Sequence, residues 1–258
     1  MKVIEIHEYF KSKGDWVNWE KTCDRILWGD GETEVTGIAV CWTSNIHQLR
    51  EAQENGCNLY ICHEPLYHYS ERGDVFHQKE VEKKQFLEEA GVVVYRCHDL
   101  WDVMPEIGIV DSWSKFLGFT EEPVASIKFY NAHQLPAGTT LEKLTRQIAH
   151  KVEELGQDVV NYIGDPDGEV TRIAVGTGAI TNFRAMFSLE PDVMILTDDG
   201  TRLWESAVWS EDTGVPLILV NHATAEEPGM RNLAAYVEES FSAPVHFIQQ
   251  GCLYRSVS

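Results

Sequence analysis

Basic residues are scarce in this chain. Its 21 Lys and Arg stand against 41 Asp and Glu, a formal charge of −20. That balance disfavours a nucleic-acid partner, because neutralising phosphates takes clustered Lys and Arg. Long apolar runs are also missing. No stretch approaches the roughly 18–20 residues of a membrane span, so no membrane partner is expected. The start, Met1-Lys2-Val3-Ile4-Glu5, lacks the apolar core of a secretory signal, and a cytoplasmic location is the expectation. The six cysteines include no CxxC pair and no zinc-finger spacing; most lie in or beside apolar runs and read as small core residues. There is no Walker lysine, no complete GxGxxG and no GxSxG elbow, so the sequence offers no signature of a phosphate loop or a serine nucleophile. What remains is an ordinary globular balance, 43% hydrophobic and 24% charged, in a chain long enough to bury a sizeable core.

Short apolar runs alternate with helix-like stretches, which predicts an α/β fold of two interlocked halves with mainly parallel sheets and helices on both faces. The first half reads as strands over 35–42, 57–62 and 92–97, with helices over 5–13, 45–55, 78–90 and 106–117. Pro123, Pro136 and Gly138 break the pattern. Residues 121–164 are therefore expected to be a connecting segment between 1–120 and 165–258, which together form one core. A long helix capped by Thr139 or Thr140 falls inside that segment. After it come strands over 170–176, 192–197, 216–220 and 244–249, and helices over 181–188, 200–212 and 228–239.

Three of these strands run into side chains able to bind metal. One leads to His63-Glu64-Pro65, a second to His98 and Asp102, and a third to His222 and Glu226. Ligands of α/β sheets bind at the carboxyl ends of strands, so one shared topological position predicts one site. His98 and Asp102 are four apart, as are His222 and Glu226, which puts each pair on one face of a helical turn. Taken singly, each has a plainer reading: a solvated turn at His63-Glu64, a turn aspartate at Asp102, helix capping at Glu226 and Glu227 ahead of Pro228. Taken together, His63, Glu64, Asp102, His222 and Glu226 supply the nitrogen and oxygen donors that a pair of divalent ions needs, without thiolate. Gly176-Thr177-Gly178 and Asp198-Asp199-Gly200 also follow strands and read as tight turns or caps.

The same segments resemble the NGG-interacting factor three-like family, whose members are also labelled GTP cyclohydrolase type 2 homologues. The resemblance rests on His63-Glu64-Pro65-Leu66, on Tyr95-Arg96-Cys97-His98-Asp99-Leu100-Trp101-Asp102, and on Asn221-His222-Ala223-Thr224-Ala225-Glu226, in order across nearly the whole chain. It implies a homohexamer with two divalent ions per subunit (zinc, manganese or iron). Glu64, Asp102 and Glu226 would hold one ion, and His63, His222 and Glu226 the other, with His98 either supporting the ligands from behind or acting as an acid/base group beside them. Two positions depart from the family pattern: Glu64 stands where a second histidine is usual, and Asn221 where a glycine is usual. The resemblance implies a metal-dependent hydrolase acting on an unknown small molecule, a nucleotide or other heterocycle. A non-catalytic hexameric metal-binding scaffold is the alternative.

Overall fold

Four apolar residues in succession leave a strand no solvent face, and Leu59–Cys62 (β3) is buried at each of its four positions. The computed structural model describes residues 1–66, 78–179 and 182–257; Thr181, the expected start of one helix, lies outside them. The protein is α/β. It divides into two units, 1–104 with 230–249 and 105–229 with 250–258.

In the first unit, β3 is central to a five-stranded sheet. Ile38–Cys41 (β2) and Val93–Arg96 (β4) flank it in parallel, with Ala39 and Val94 both opposite Tyr60. Val245–Phe247 (β11) extends the sheet in parallel beyond β2, and Arg25–Trp28 (β1) closes the other edge antiparallel to β4. Two helices show why their residues are helical. Val3–Lys13 (α1) buries Val3, Ile6 and Phe10, an i, i+3, i+7 stripe, which is one face of a 3.6-residue repeat. Ile46–Glu54 (α2) starts where the Asn45 side chain accepts from the His47 and Gln48 N–H groups, satisfying donors that have no partner inside the helix. Gln78–Ala90 (α3) precedes β4, and Asp99–Asp102 (α4) is a single turn after it.

The second unit carries a six-stranded sheet in the order β5-β6-β8-β9-β10-β7: Ala125–Ile127, Tyr130–Gln134, Arg172–Val175, Val193–Thr197, Leu217–Val220 and Asn161–Ile163. Only β8, β9 and β10 run parallel; the other three pairings are antiparallel. Both sheets are thus mixed, with three of four pairings parallel in the first and two of five in the second. Residues 121–164, read from the sequence as a connecting segment, supply β5, β6, β7 and the helix Leu141–Glu153 (α6). Thr140 rather than Thr139 caps α6, accepting from the Lys143 N–H.

Besides α6, the helices among the described residues of this unit are Ile109–Phe116 (α5), Phe183–Phe187 (α7), a π-helical turn at Leu203–Ala207 running into Val208–Thr213 (α8), and the start of His222–Ser240 (α9). The last corrects an expectation. Pro228 lies inside α9, not in its first turn, because the helix is nucleated upstream, where Ala225 N–H already bonds to Asn221 C=O at 3.0 Å. Proline there removes one rung of the ladder.

Candidate metal centre

In the first unit, Cys62 at the end of β3 pairs with Arg96 at the end of β4, so the residues that follow leave the sheet side by side. His63 is 1% exposed, and its Nδ1 lies 3.1 Å from the Cys97 carbonyl. A carbonyl can only accept, so Nδ1 carries the proton. In the neutral ring Nε2 then presents its lone pair, and it faces Asp102 Oδ1 at 3.4 Å. Two electron-rich atoms in that position call for a proton or a cation between them. His98 stacks on His63 with ring centroids 4.3 Å apart, and its Nδ1 contacts Asp99 Oδ1 at 3.0 Å and Asp102 Oδ2 at 3.3 Å. Burial opposes charge on His98, but the Asp99 hydrogen bond, together with Cys23 and Asp102, prevails and pushes its pKa up to about 11. Asp99 is correspondingly held at about 2, chiefly by its bond to His98.

Two further residues shape this group. Asp24, 2% exposed, accepts from the N–H groups of His98, Asp99 and Leu100 at 2.8, 2.8 and 2.9 Å. It fixes the turn on which His98 and Asp102 stand. Arg96 donates from Nε to the His63 carbonyl at 2.8 Å and lies 3.6 Å from Glu64 Oε2. The glutamate that departs from the family pattern therefore has a counter-charge beside it.

The second unit builds its group at the ends of β9 and β10, which are parallel neighbours with Thr197 opposite Val220. Asp198 accepts the His222 N–H at 2.9 Å and the Asn221 Nδ2 at 2.8 Å. His222, 3% exposed, is flanked on both ring nitrogens: Nδ1 to Asp199 Oδ2 and Nε2 to Glu226 Oε1, each at 3.0 Å. Neutral imidazole has one N–H, so one of these contacts needs either a second ring proton or a cation. Thr177 Oγ1 donates to the same Glu226 oxygen at 3.3 Å. Glu226 is 2% exposed, and a carboxylate so placed needs such partners. Glu227 is engaged elsewhere, accepting the Gly251 N–H at 2.7 Å.

Histidine and carboxylate donors bind zinc at about 2.0–2.2 Å, which separates two ligands of one ion by roughly 3–3.5 Å. The His222–Glu226 and His63–Asp102 spacings of 3.0 and 3.4 Å match that. The donors present thus fit a divalent ion. His63, His98 and Asp102 form one group whose ligand atoms all lie within 4.8 Å of one another, and Cys23, His98 and Asp99 form another.

The three expected strand ends belong to two sheets, not one. β3 and β4 bring His63, Glu64, His98 and Asp102 to one edge of the first, and β10 brings His222 and Glu226 to an edge of the second. Nothing in the sequence pattern singles out Asp24 or Cys23, and Asp198-Asp199 reads there as a turn or cap. Asp198 does cap, while Asp199 orients a histidine. Its signal was present in the strand end it follows, and Asp24 had none.

The sequence matches, over residues 1–251, the family described as Duf34/NIF3 (NGG1p interacting factor 3). It is 24% identical over 225 residues to a GTP cyclohydrolase 1 type 2 homolog of Deinococcus radiodurans, covering 84% of this chain and 81% of that protein. A protein of the same description from Clostridium perfringens is 23% identical over 242 residues, 90% of each chain. Among solved structures, the chain is similar in fold to a hypothetical protein of Staphylococcus aureus, with a TM-score of 0.81 at 17% identity over 100% of this chain and 99% of the other.

Proposed function

The chain belongs to the Duf34/NIF3 family, and from that premise and the geometry above we propose a hydrolase that depends on two divalent ions, zinc, manganese or iron. Its proposed ligands are His63, Glu64, Asp102, His222 and Glu226. The carrying observation is His222, whose two ring nitrogens each face a carboxylate oxygen at 3.0 Å. Asp199 on Nδ1 orients the ring and fixes its tautomer, as a carboxylate commonly does behind a metal-bound histidine. That leaves Nε2 and the buried Glu226 directed at the same small volume.

When bound, the ions would supply Lewis acidity and a water whose pKa falls to about 7. The residues of the chain do the rest. His98, its positive charge held by Asp99 and Asp102, is the proton donor to a leaving group. His63 is locked in one tautomer by the Cys97 carbonyl. Arg96, by pairing with Glu64, moderates the charge that glutamate brings in place of histidine. The substrate is proposed as a heterocycle or nucleotide, on the strength of the relatives' descriptions alone. The acidic chain and the engagement of Arg96 argue for recognition of the ring rather than of a triphosphate.

The test is elemental analysis of full-length protein purified without chelator, with turnover followed on a panel of heterocycles and phosphoesters. About two ions per chain with turnover, both lost in Glu226→Gln, supports a dinuclear hydrolase. Metal without turnover across the panel would favour the scaffold alternative. No metal after incubation with manganese, iron and zinc would sink the proposal.

A further inference from the structure

Cys41, Cys57, Cys62, Cys97 and Cys252 are buried, while Cys23 is half-exposed. Its Sγ lies 3.8 Å from Asp99 Oδ1, the oxygen that His98 Nδ1 approaches at 3.0 Å. Sulfur, ring nitrogen and carboxylate oxygen are all within 4.8 Å of one another. Thr22 Oγ1 donates to the other carboxylate oxygen, Oδ2, at 2.8 Å, which turns Oδ1 towards the cluster. The neighbouring Asp24 is committed to three backbone N–H groups and is not available as a ligand. An ion pair accounts for His98 and Asp99, and a carboxylate is favoured at the head of a helical turn. Neither role asks for a thiol.

We infer that Cys23, His98 and Asp99 form a thiolate-bearing metal site, distinct from the carboxylate–histidine ligands and drawing on His98, the proposed proton donor beside them. Its ion is a thiophilic divalent cation such as zinc or cobalt. With metal–sulfur and metal–oxygen bonds of about 2.3 and 2.0–2.2 Å, a sulfur–oxygen separation of 3.8 Å spans one ion at a wide tetrahedral angle. Cys23 and Asp99 are both half-exposed, so a fourth position is left to water. Uptake breaks the Cys23 S–H bond and the N–H bond at His98 Nδ1, and both protons go to solvent. Affinity therefore rises with pH. Because His98 Nδ1 also contacts Asp102 Oδ2 at 3.3 Å, an ion at Cys23 withdraws that contact: the thiolate site and the proton-donor role of His98 exclude each other. The inference does not rest on the hydrolase reading.

The test is a cobalt(II) titration of the full-length, chelator-stripped protein, reading the near-ultraviolet thiolate-to-cobalt charge-transfer band. The band is expected to saturate in the unaltered chain and in Glu226→Gln, to vanish in Cys23→Ser, and to need roughly tenfold or more cobalt in Asp99→Asn. In parallel, saturating zinc should slow iodoacetamide alkylation of Cys23, read by mass spectrometry, which keeps the test independent of any variant's folding. Cobalt bound without the band, a band surviving Cys23→Ser, or alkylation indifferent to zinc overturns the thiolate site and leaves the hydrolase proposal standing. Absence of any cobalt binding likewise overturns the thiolate site.

Discussion

Asp24 has both carboxylate oxygens engaged by the backbone N–H groups of His98, Asp99 and Leu100. Burial raises its pKa above the ordinary carboxylate value, and those three bonds work against the rise. Removing the acceptor leaves three donors in a partly dry place. Asp24→Ala is therefore expected to cost about 2 kcal/mol, and Asp24→Asn, which keeps one acceptor oxygen, about half as much. Urea midpoints at unchanged m-value would check the order; equal midpoints for Asp24→Ala and the unaltered chain would refute it. At this scale the sequence showed the side chains that converge by local spacing, His98 with Asp102 and His222 with Glu226. It did not show Asp24, which is 74 positions from the first N–H it holds. Glu227 is a similar case. Beside Glu226 it looks interchangeable, and only its bond to the Gly251 N–H gives the two glutamates different roles.

Among the elements, α9 breaks two propensity rules. It contains Pro228 and, next to it, Gly229. A glycine-to-alanine change in a helix interior usually gains up to about 1 kcal/mol. Here a Cβ at Gly229 would sit 2.6 Å from Ile109 Cδ1 and 2.8 Å from Ile109 Cα. The backbone atom cannot move aside as a side-chain tip can. Gly229→Ala should therefore destabilise by about 1–3 kcal/mol despite the better propensity, visible as a lower Tm; a higher Tm would mean that α5 yields.

On α3, Lys83 is half-buried and donates to the Leu66 carbonyl at 2.6 Å, and burial lowers its pKa to about 8. A base whose folded pKa lies below its unfolded value of 10.5 carries its full penalty below the folded value and sheds it as pH rises to the unfolded one. Stability should thus climb between about pH 8 and 10.5, by up to about 3 kcal/mol from this group. The climb should be missing in Lys83→Met, and denaturation midpoints of the two proteins across that range provide the comparison.

For the whole molecule, the family resemblance implies a homohexamer, and we predict by light scattering a species of six times the 29.3 kDa chain. A monomer at micromolar concentration would contradict it. Among the described residues no helix is long and apolar enough to cross a membrane. The α/β class was legible because β2, β3 and β10 are continuous apolar runs, and their length and spacing are local properties. The small antiparallel strands were not: β5 and β7 have three residues each, one of them half-buried and the others exposed. Such strands carry no periodic signal and exist because a neighbour offers them a ladder.

The sequence by itself determined the strand ends and the ligand types that follow them, since apolar runs and i, i+4 spacings act over a few residues. Only the tertiary structure decided that these ends lie on two mixed sheets, that Glu64 has Arg96 beside it, that Asp198 and Asp199 divide capping from histidine orientation, and that Cys23 meets His98 and Asp99. Each of those outcomes joins side chains dozens of positions apart, as Thr22 and Asp99 are at 77. Contacts closed by long loops leave no trace in local pattern, because hydrogen bonding and charge act on distance in space and not along the chain.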